Sequence, residues 1–465
     1  MISVSVVFAI GSLRAQPPLT SAESAGSVER NAHRDQTSAA RAGYRLLRTK
    51  TYLPPDFDRD VFGSLWKVWP EPLRSQARDA TPAQRRHMAF SRYGLVQVPG
   101  NQDQSRPALG YVDDGKDGWV MNCLACHAGK VAGRVIPGLP NTHFALQTLT
   151  EEVRLTKISL FKPLGHLDLV SLNIPLGTTH GTTNSVIFGV VLGTYRDRDL
   201  NVDQCRPLPK LVHHDMDPPP FWNVKKKARL YADGFSPKNH RVLMQFILLP
   251  ANGPKTIKSW EDDFQNILAW IESIEPPPYP WKIDRNRAES GKVLFREHCS
   301  RCHGTYGQKG RYRQQTIPID VVGTDPVRLQ ALSTQHRRWL RNNWMSHYGR
   351  DQVIVNPVGY VAPPLDGIWA SAPYLHNGSV PTLWHLLHPN ERPKVWKRTE
   401  DGYDREKVGL EVVVSNKVPA PVRTAAARRE YFDTTRSGKS AAGHRFPDVL
   451  SEDEKRAVLE FLKTL

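Results

Sequence analysis

Two segments of the chain combine a polar capping pattern with apolar residues at helical spacing. The first, 81–84, reads Thr-Pro-Ala-Gln, a capping box with proline at the first helical position, and it predicts a helix through Tyr93. The second pairs Ser451 with Glu454 and predicts a helix over the last residues of the chain. In each helix the apolar side chains share one face, so we expect that face to pack against a core.

Two more helical segments are expected in the middle of the chain. Ser259 and Asp262 open the first of them. Its apolar residues share one face: Phe264, Ile267, Leu268 and Ile271. The proline-rich segment 275–280 then ends the helix and is typical of an inter-domain connector. We therefore place a domain boundary at residue 284, ahead of a second helical segment over 287–298.

The segments between these helices are rich in proline and glycine and show little periodicity, as in 218–221 and 350–364. Loops of this length need something large to pack around. The pattern therefore predicts a mainly α fold with long ordered loops.

The beginning of the chain differs from the rest in composition. Residues 1–16 contain a short apolar stretch that resembles the core of a signal peptide, although no basic residue precedes it. Residues 17–50 are rich in Ser, Ala, Arg and Gln, so we expect a flexible leader there. Folded domains are expected over 51–284 and 285–465.

Composition narrows the class of protein. The chain has 465 residues, 39% of them hydrophobic and 23% charged, which is typical of a globular protein and argues against wholesale disorder. Five cysteines are too few for a disulfide scaffold, and no later segment has the apolar length of a membrane helix. The net charge of +17 favours acidic partners, but the basic residues are scattered and form no nucleic-acid-binding motif.

Four of the cysteines form two C-x-x-C-H motifs. They are Cys123-Leu-Ala-Cys126-His127 and Cys299-Ser-Arg-Cys302-His303. In this motif two thiols bind the vinyl groups of haem and the adjacent histidine binds the iron axially. A zinc site would not require a histidine directly after each cysteine pair, and a thioredoxin-like pair would not occur twice with it. The sequence therefore predicts two covalently bound haem c groups, one in each domain.

Covalent attachment of haem takes place outside the cytoplasm, so we expect a periplasmic or secreted protein. The remaining cysteine, Cys205, is interpreted as a buried or loop thiol, with an intermolecular disulfide as the alternative.

The second half of the chain resembles known haem proteins. Gly291 and Phe295 before the second motif, with Phe461 in the last helix, resemble the crossed terminal helices of a c-type cytochrome domain. The stretch 363–383, PPLDGIWASAPYLHNGSVPTL, is similar to the signature of bacterial dihaem enzymes: the dihaem cytochrome c peroxidases, MauG and the dihaem rubber oxygenases. It looks most like the rubber-oxygenase branch. Further matching pieces are 177–189, 234–246 and Gly443-His444. The resemblance implies two c-type cytochrome-like haem domains.

The C-terminal haem needs a sixth ligand if it is to pass electrons with little rearrangement, and a histidine or methionine would serve. His376, His444 and Met345 are the candidates. His376 lies in a His-Asn-Gly turn and could be a ligand or a hydrogen-bond partner. His444 follows a run of small residues, 437–443, that can approach a macrocycle closely. The resemblance places the ligand at the Gly-His position and so implies His444, with His376 second.

For the N-terminal haem at His127, the resemblance implies an open distal face that binds peroxide or dioxygen. Phe235, Met244 and Phe246 could line that face, although such a cluster is also typical of a plain core. The alternative is closure by a sixth ligand, and the candidates are His143, His166 and His180.

Two functions are compatible with these features. In the first, the N-terminal haem activates peroxide or dioxygen while the C-terminal low-spin haem relays electrons from an acidic redox partner. A peroxidase also needs an acid or base near the peroxide, and whether Glu151, Glu152 or another residue serves is open. The alternative is a non-catalytic dihaem electron-transfer cytochrome. The length of the chain favours the enzyme, because a carrier needs far less protein around two haems.

Overall fold

The computed structural model describes residues 37–100, 106–203, 205 and 211–465. Of these residues, 43% are helical and 13% are in strands that form several small sheets. The fold is therefore mixed α/β, and the prediction of a mainly α chain built of two c-type cytochrome-like haem domains is wrong. Most of the strands have two to four residues, which is too few to leave an alternating pattern, and charged residues hide the alternation in the longest hairpin, 395–415.

The helices described in the first half of the chain have 4 to 14 residues. They are α1 (Ser38–Thr49), α2 (Arg59–Ser64), α3 (Leu73–Asp79), α4 (Pro82–Tyr93), α5 (Leu124–His127), α6 (Leu146–Ser159), α7 (His166–Val170), α8 (Ser185–Thr194), α9 (His240–Leu243), α10 (Pro254–Ser259) and α11 (Glu261–Ser273). The capping box of Thr81 and Gln84 at the start of α4 is confirmed. The prediction that Ser259 opens α11 is wrong, because Ser259 ends α10 and Trp260 takes the N-cap position.

The second half begins where the proline-rich connector ends. Its helices are α12 (Arg285–His298), α13 (Ser300–His303), α14 (Ile319–Val322), α15 (Val327–Ala331), α16 (Thr334–Arg341), α17 (Leu383–Leu387), α18 (Ala425–Arg428) and α19 (Glu452–Leu462). Asp284 caps α12 with its side chain, and the capping box of Ser451 and Glu454 opens α19 as predicted. Shorter 3-10 helices lie between these elements: Leu65–Val68, Phe221–Lys226, Met244–Ile247, Trp344–Gly349, Ile368–Ala370, Pro389–Glu391 and Phe446–Val449.

The strands pair only with antiparallel neighbours in the part of the chain that the structure describes. They are β1 (Phe57–Asp58), β2 (Tyr111–Asp113), β3 (Gly118–Met121), β4 (Ala128–Val131), β5 (Arg134–Pro137), β6 (Arg229–Leu230), β7 (Ser236–Pro237), β8 (Thr316–Pro318), β9 (Gly359–Val361), β10 (Val395–Asp404), β11 (Gly409–Ser415) and β12 (Tyr431–Asp433). Two sheets have three strands, in the orders β1-β3-β2 and β11-β10-β12. The second sheet buries Trp396 against Phe432, with ring centroids 5.0 Å apart.

Helix α1 crosses α11 at a glycine. A Cβ atom on Gly43 would lie 2.0 Å from the backbone oxygen of Asn266, so only glycine allows this approach. Beside the contact, Tyr44 stacks on Trp270 with ring centroids 5.1 Å apart. The prediction of a flexible leader over 17–50 is therefore wrong for residues 38–49. The small residues of this segment, which were expected to bury too little apolar surface to fold, instead allow two helices to approach closely. The expected signal peptide, 1–16, and the leader before residue 37 lie outside the described residues.

Helix α12 crosses α19 in the same way. A Cβ atom on Gly291 would lie 1.9 Å from the backbone oxygen of Ala457. The rings of Phe295 and Phe461 fill the contact with their centroids 5.1 Å apart. This crossing confirms the contact expected from Gly291, Phe295 and Phe461.

One hydrophobic cluster contains side chains from both sides of residue 284. Trp222 and Trp270 belong to it together with Phe295, Trp369 and Phe461. The hydrophobic core is therefore continuous across residue 284. The domain boundary placed at this residue stays a prediction. No helix in the described parts of the chain has the length and apolar content to cross a membrane.

Candidate functional site

The first C-x-x-C-H motif forms a single helical turn. Cys123 occupies the N-cap of α5, and the backbone N–H of His127 donates to the Cys123 carbonyl at 3.1 Å. Asn141 fixes the loop from the other side, since its side chain donates to the carbonyl of Ala125 and its backbone N–H to that of Cys126. The two thiols are thereby held on one short turn with the histidine directly after them.

The predicted ligand His127 packs against Phe221, with ring centroids 4.0 Å apart and nearly parallel planes. Burial lowers the pKa of His127 to about 4, and the neighbouring carbonyl of Pro219 opposes this shift. The imidazole is therefore neutral at physiological pH, which is the form that binds a metal.

The piece 177–189, which resembles the dihaem enzymes, lies beside this motif. Cys126 shares a narrow pocket with Gly181, Thr182, Thr183 and Pro218. A segment nearly sixty residues later in the sequence therefore lies beside the first motif.

The second motif follows α12 directly, and its histidine has a defined orientation. Nδ1 of His303 lies 2.8 Å from the carbonyl oxygen of Pro363. A carbonyl only accepts, so Nδ1 carries the proton and Nε2 keeps the free electron pair. A histidine held in this way offers Nε2 to a metal.

His444 lies opposite His303, although 140 residues separate the two histidines in the sequence. Their ring centroids are 6.2 Å apart and their planes are inclined by 59°. His444 has a positive φ of 49° and follows Gly443, whose Cβ would lie 2.2 Å from the backbone carbon of Gly323. Arg392 braces the same loop by donating to the carbonyls of Ala441 and Gly443 at 2.6 and 2.7 Å.

The spacing of these two histidines fits one iron between them. Two metal–nitrogen bonds of about 2 Å, plus about 1 Å on each side from nitrogen to ring centre, give a span of about 6 Å. Burial, with His303 as the next cause, lowers the pKa of His444 to about 3, so the ring is neutral. The donor set of two thiols and two facing imidazoles therefore suits a covalently attached haem with two histidine ligands.

The other two candidate ligands of the C-terminal haem have different surroundings. His376 stacks on Tyr360 with ring centroids 4.1 Å apart, and its Nε2 has no partner in the described structure. Met345 is fully buried in the core, where its backbone carbonyl accepts a hydrogen bond from Asn239. His376 and Met345 have contacts of their own, whereas His444 is the candidate whose ring neighbours His303.

The residues predicted to line a distal face have the contacts of core side chains. Phe235 stacks on Tyr231 at 4.8 Å and Met244 is fully buried, while Phe246 is half-buried. The distal role of Phe235, Met244 and Phe246 stays a prediction.

The candidate acids are held in ion pairs. Arg92 binds Glu152, which also accepts a hydrogen bond from the Tyr93 hydroxyl. Arg429 binds Glu151 at 2.6 Å and helps to hold the pKa of that carboxyl below its usual range, against the effect of burial.

The alternative sixth ligands for the N-terminal haem are also placed. Burial lowers the pKa of His166 to about 4, and burial with Arg398 lowers that of His180 to about 3. His180 donates its backbone N–H to the carbonyl of Arg429. His143 lies near enough to His180 to contribute to the lowered pKa of His180.

The fifth cysteine, Cys205, is exposed in a turn. Of the buried thiol and the loop thiol that were expected, the structure therefore shows a loop thiol.

The sequence analysis missed the partners that orient or cover the two axial histidines. Pro219 and Phe221 face His127, and Pro363 orients His303. The segment of Pro219 was predicted only as a loop, and Pro363 begins the stretch 363–383 that resembles the dihaem enzymes, but neither was expected to contact a histidine. Their proline content was the available signal, but nothing local connects it to a histidine 60 or more residues away.

One comparison with known proteins matches a segment in the second half of the chain. A family model described as RoxA-like, cytochrome c-like matches residues 359–397, which include Pro363 and His376. The match links the chain to the RoxA-like cytochromes. It supports haem c as the cofactor and a c-type cytochrome as the class of protein.

Two relatives from Sinorhizobium fredii are similar over part of their length. The uncharacterized protein y4iJ is 30% identical over 41% of this chain, and the uncharacterized protein y4iM is 29% identical over 38%. The aligned part spans 41% and 45% of these relatives, which is less than half of each.

Proposed function

We propose that the protein is an exported oxidoreductase that carries two covalently bound haem c groups. The family match supports haem c, and the second copy of the attachment motif supports a second haem. Export is part of the proposal because this attachment takes place outside the cytoplasm. When bound, haem c supplies one-electron transfer and, where an axial position is open, binding of peroxide or dioxygen.

The two motifs are assigned different tasks. Cys299 and Cys302 would anchor the C-terminal haem, and His303 with His444 would hold its iron, so that this haem would supply electron relay. Cys123 and Cys126 would anchor the N-terminal haem, and His127 would hold its iron.

The observation that carries this division is the asymmetry between the two axial histidines. His303 has a second imidazole at a spacing of 6.2 Å, whereas the ring that contacts His127 is Phe221. The asymmetry supports one closed and one open iron.

The proposed class of enzyme is the dihaem peroxidases and oxygenases, whose signature the stretch 363–383 resembles. It assigns an acid–base role to neither Glu151 nor Glu152, because arginines bind both carboxylates. A small oxidant, peroxide or dioxygen, is the proposed substrate of the open iron. An acidic redox protein is the proposed electron donor, since the chain carries a net charge of +17.

Electron paramagnetic resonance of the oxidised protein tests the proposal. We expect one high-spin and one low-spin ferric signal of equal integrated intensity. Peroxide added to the oxidised protein should perturb only the high-spin signal. Two low-spin signals without a high-spin one would instead establish the electron-transfer cytochrome.

A further inference from the structure

A buried cluster of charges lies outside the residues discussed so far. Asp233 is fully buried between Arg328 and Arg337, which are 1% and 2% exposed. Its Oδ2 accepts from Arg328 at 3.3 Å and from Arg337 at 2.7 Å. Two cations therefore share one carboxylate, and the cluster has one positive charge in excess.

The guanidinium groups of this cluster are incompletely bonded. Nε and Nη2 of Arg328 and Nε of Arg337 have no partner among the described residues, and neither does Oδ1 of Asp233. Arg196 is a buried arginine of the same protein whose guanidinium group has several hydrogen-bond acceptors. It is 2% exposed, and its guanidinium donates to the carbonyls of Leu200, Leu248, Leu249 and Asn252.

An excess buried cation with free donors is costly, because desolvation is not offset by pairing. The two neighbouring histidines leave this excess charge unchanged. Burial and Arg328 lower the pKa of His376 and of His214 to about 3, so both rings are neutral, and each has a buried Nε2 without a partner. The donors of this cluster therefore suit an anion with two oxygen atoms, as a carboxylate has.

The cluster lies next to the segments that hold both ligands of the C-terminal haem. Tyr360 stacks on His376, and its hydroxyl accepts from the N–H of Leu329, the residue after Arg328. Three residues after Tyr360, Pro363 orients His303. On the other side, the N–H of His444 donates to the carbonyl of Val322, in the turn that leads to Arg328.

We infer that Arg328 and Arg337 bind a propionate carboxylate of the haem attached at Cys299 and Cys302. The inference rests on the haem c content of the proposed function and not on the chemistry at the N-terminal iron. A cation paired with a propionate favours the reduced haem, because it offsets the electron added on reduction. Arg328 therefore raises the reduction potential of the electron-relay haem.

The test compares two buried arginines by redox titration of the holoprotein. In Arg328→Gln we expect the reduction equilibrium of the low-spin haem to fall about tenfold, which is about 59 mV for one electron. The propionate-bending band of that haem in the resonance Raman spectrum should shift as well. Arg328→Lys should retain most of the potential, since it keeps the charge.

Arg196→Gln is the matched control, because it removes a buried guanidinium that carbonyls satisfy. It should lower the melting temperature without moving either potential. A shift in Arg328→Gln confined to the high-spin haem would overturn the assignment to the C-terminal haem. Unchanged potentials and Raman bands would overturn propionate binding altogether. A protein without covalent haem fails earlier, in the test of the proposed function.

Discussion

The two C-x-x-C-H loops share their local construction and differ in the ring that neighbours the histidine. Each is a one-turn helix, each histidine neighbours a proline carbonyl, and each half of the chain has a pair of helices crossed at a glycine. The ring of His444 nevertheless lies 6.2 Å from that of His303, whereas the ring of His127 stacks on Phe221 at 4.0 Å. Under the proposed function, haem attachment is therefore encoded locally and the choice of a sixth ligand is not. The sixth ligand proposed for the C-terminal haem comes from a loop 140 residues from the second motif, and this is where the two sites diverge.

The largest effect is expected from removal of the thiols, which should change the haem content of the protein. Cys123→Ala with Cys126→Ala, or Cys299→Ala with Cys302→Ala, should each halve the haem that stays with the chain after acid-acetone extraction. The reason is that each motif is the only covalent anchor of its haem. Haem content per chain, measured as the pyridine haemochrome, checks this.

The spectra of the two double variants identify which haem is lost. The first variant should keep the low-spin signal and the second should lose it. Full retention of covalent haem in either variant would contradict the prediction.

The next largest effect concerns spin state. His444→Ala should convert the C-terminal iron from low-spin to high-spin, because the strong field of two imidazoles is lost. The N-terminal signal should not change. Electron paramagnetic resonance of the oxidised variant measures both irons at once.

His376→Ala is the control for this experiment, since His376 is a histidine of the same region that stacks on Tyr360. It should shift the reduction potential and leave the spin states alone. If His376→Ala changes the spin state and His444→Ala does not, the two assignments must be exchanged.

The helix crossings allow a comparison of the two halves by stability. Gly43→Ala and Gly291→Ala should each lower the free energy of unfolding by about 1–3 kcal/mol, because the added Cβ overlaps the backbone of the crossing helix. Denaturant titration of the holoprotein measures the change.

Gly63→Ala provides the matched control, since Gly63 lies in α2 with open space around it. It should stabilise the protein slightly, as alanine is the better helix former. If Gly291→Ala lowered the free energy of unfolding and Gly43→Ala did not, the two helix crossings would not be equivalent.

The smallest effect is expected from the net charge. The association rate with an acidic redox partner should fall as ionic strength rises, because salt screens the positive charge of +17. Stopped-flow mixing at low and high salt checks this. An association rate that is independent of salt would mean that charge does not steer the encounter.

Features that depend on local hydrogen bonds were predictable from the sequence. The capping boxes at Thr81 and Ser451 use residues three positions apart, and a C-x-x-C-H motif lies within five. The contact of Gly291 with α19 was also expected. The equivalent contact of Gly43 was not, because its helix is rich in alanine and arginine and resembles a flexible segment.

Features made by distant segments were predictable only where the family resemblance pointed to them, as it did for Gly291 and His444. The hairpin of β10 and β11 interrupts a half expected to be helical, and its strands contain charged residues that hide the alternation. The Arg328–Asp233–Arg337 cluster joins residues about 100 positions apart. Three-dimensional neighbours of this kind leave no periodic trace in one sequence.

The crossing of α1 with α11 has a consequence for the order of events during folding. Helix α1 ends at Thr49 and α11 begins at Glu261, so about 200 residues separate the two partners. Closing a loop of this length costs conformational entropy before the contact stabilises it, and contacts between such distant residues form slowly. The first C-x-x-C-H motif lies inside this loop, so we expect its thiols to be accessible before the glycine contact of α1 closes.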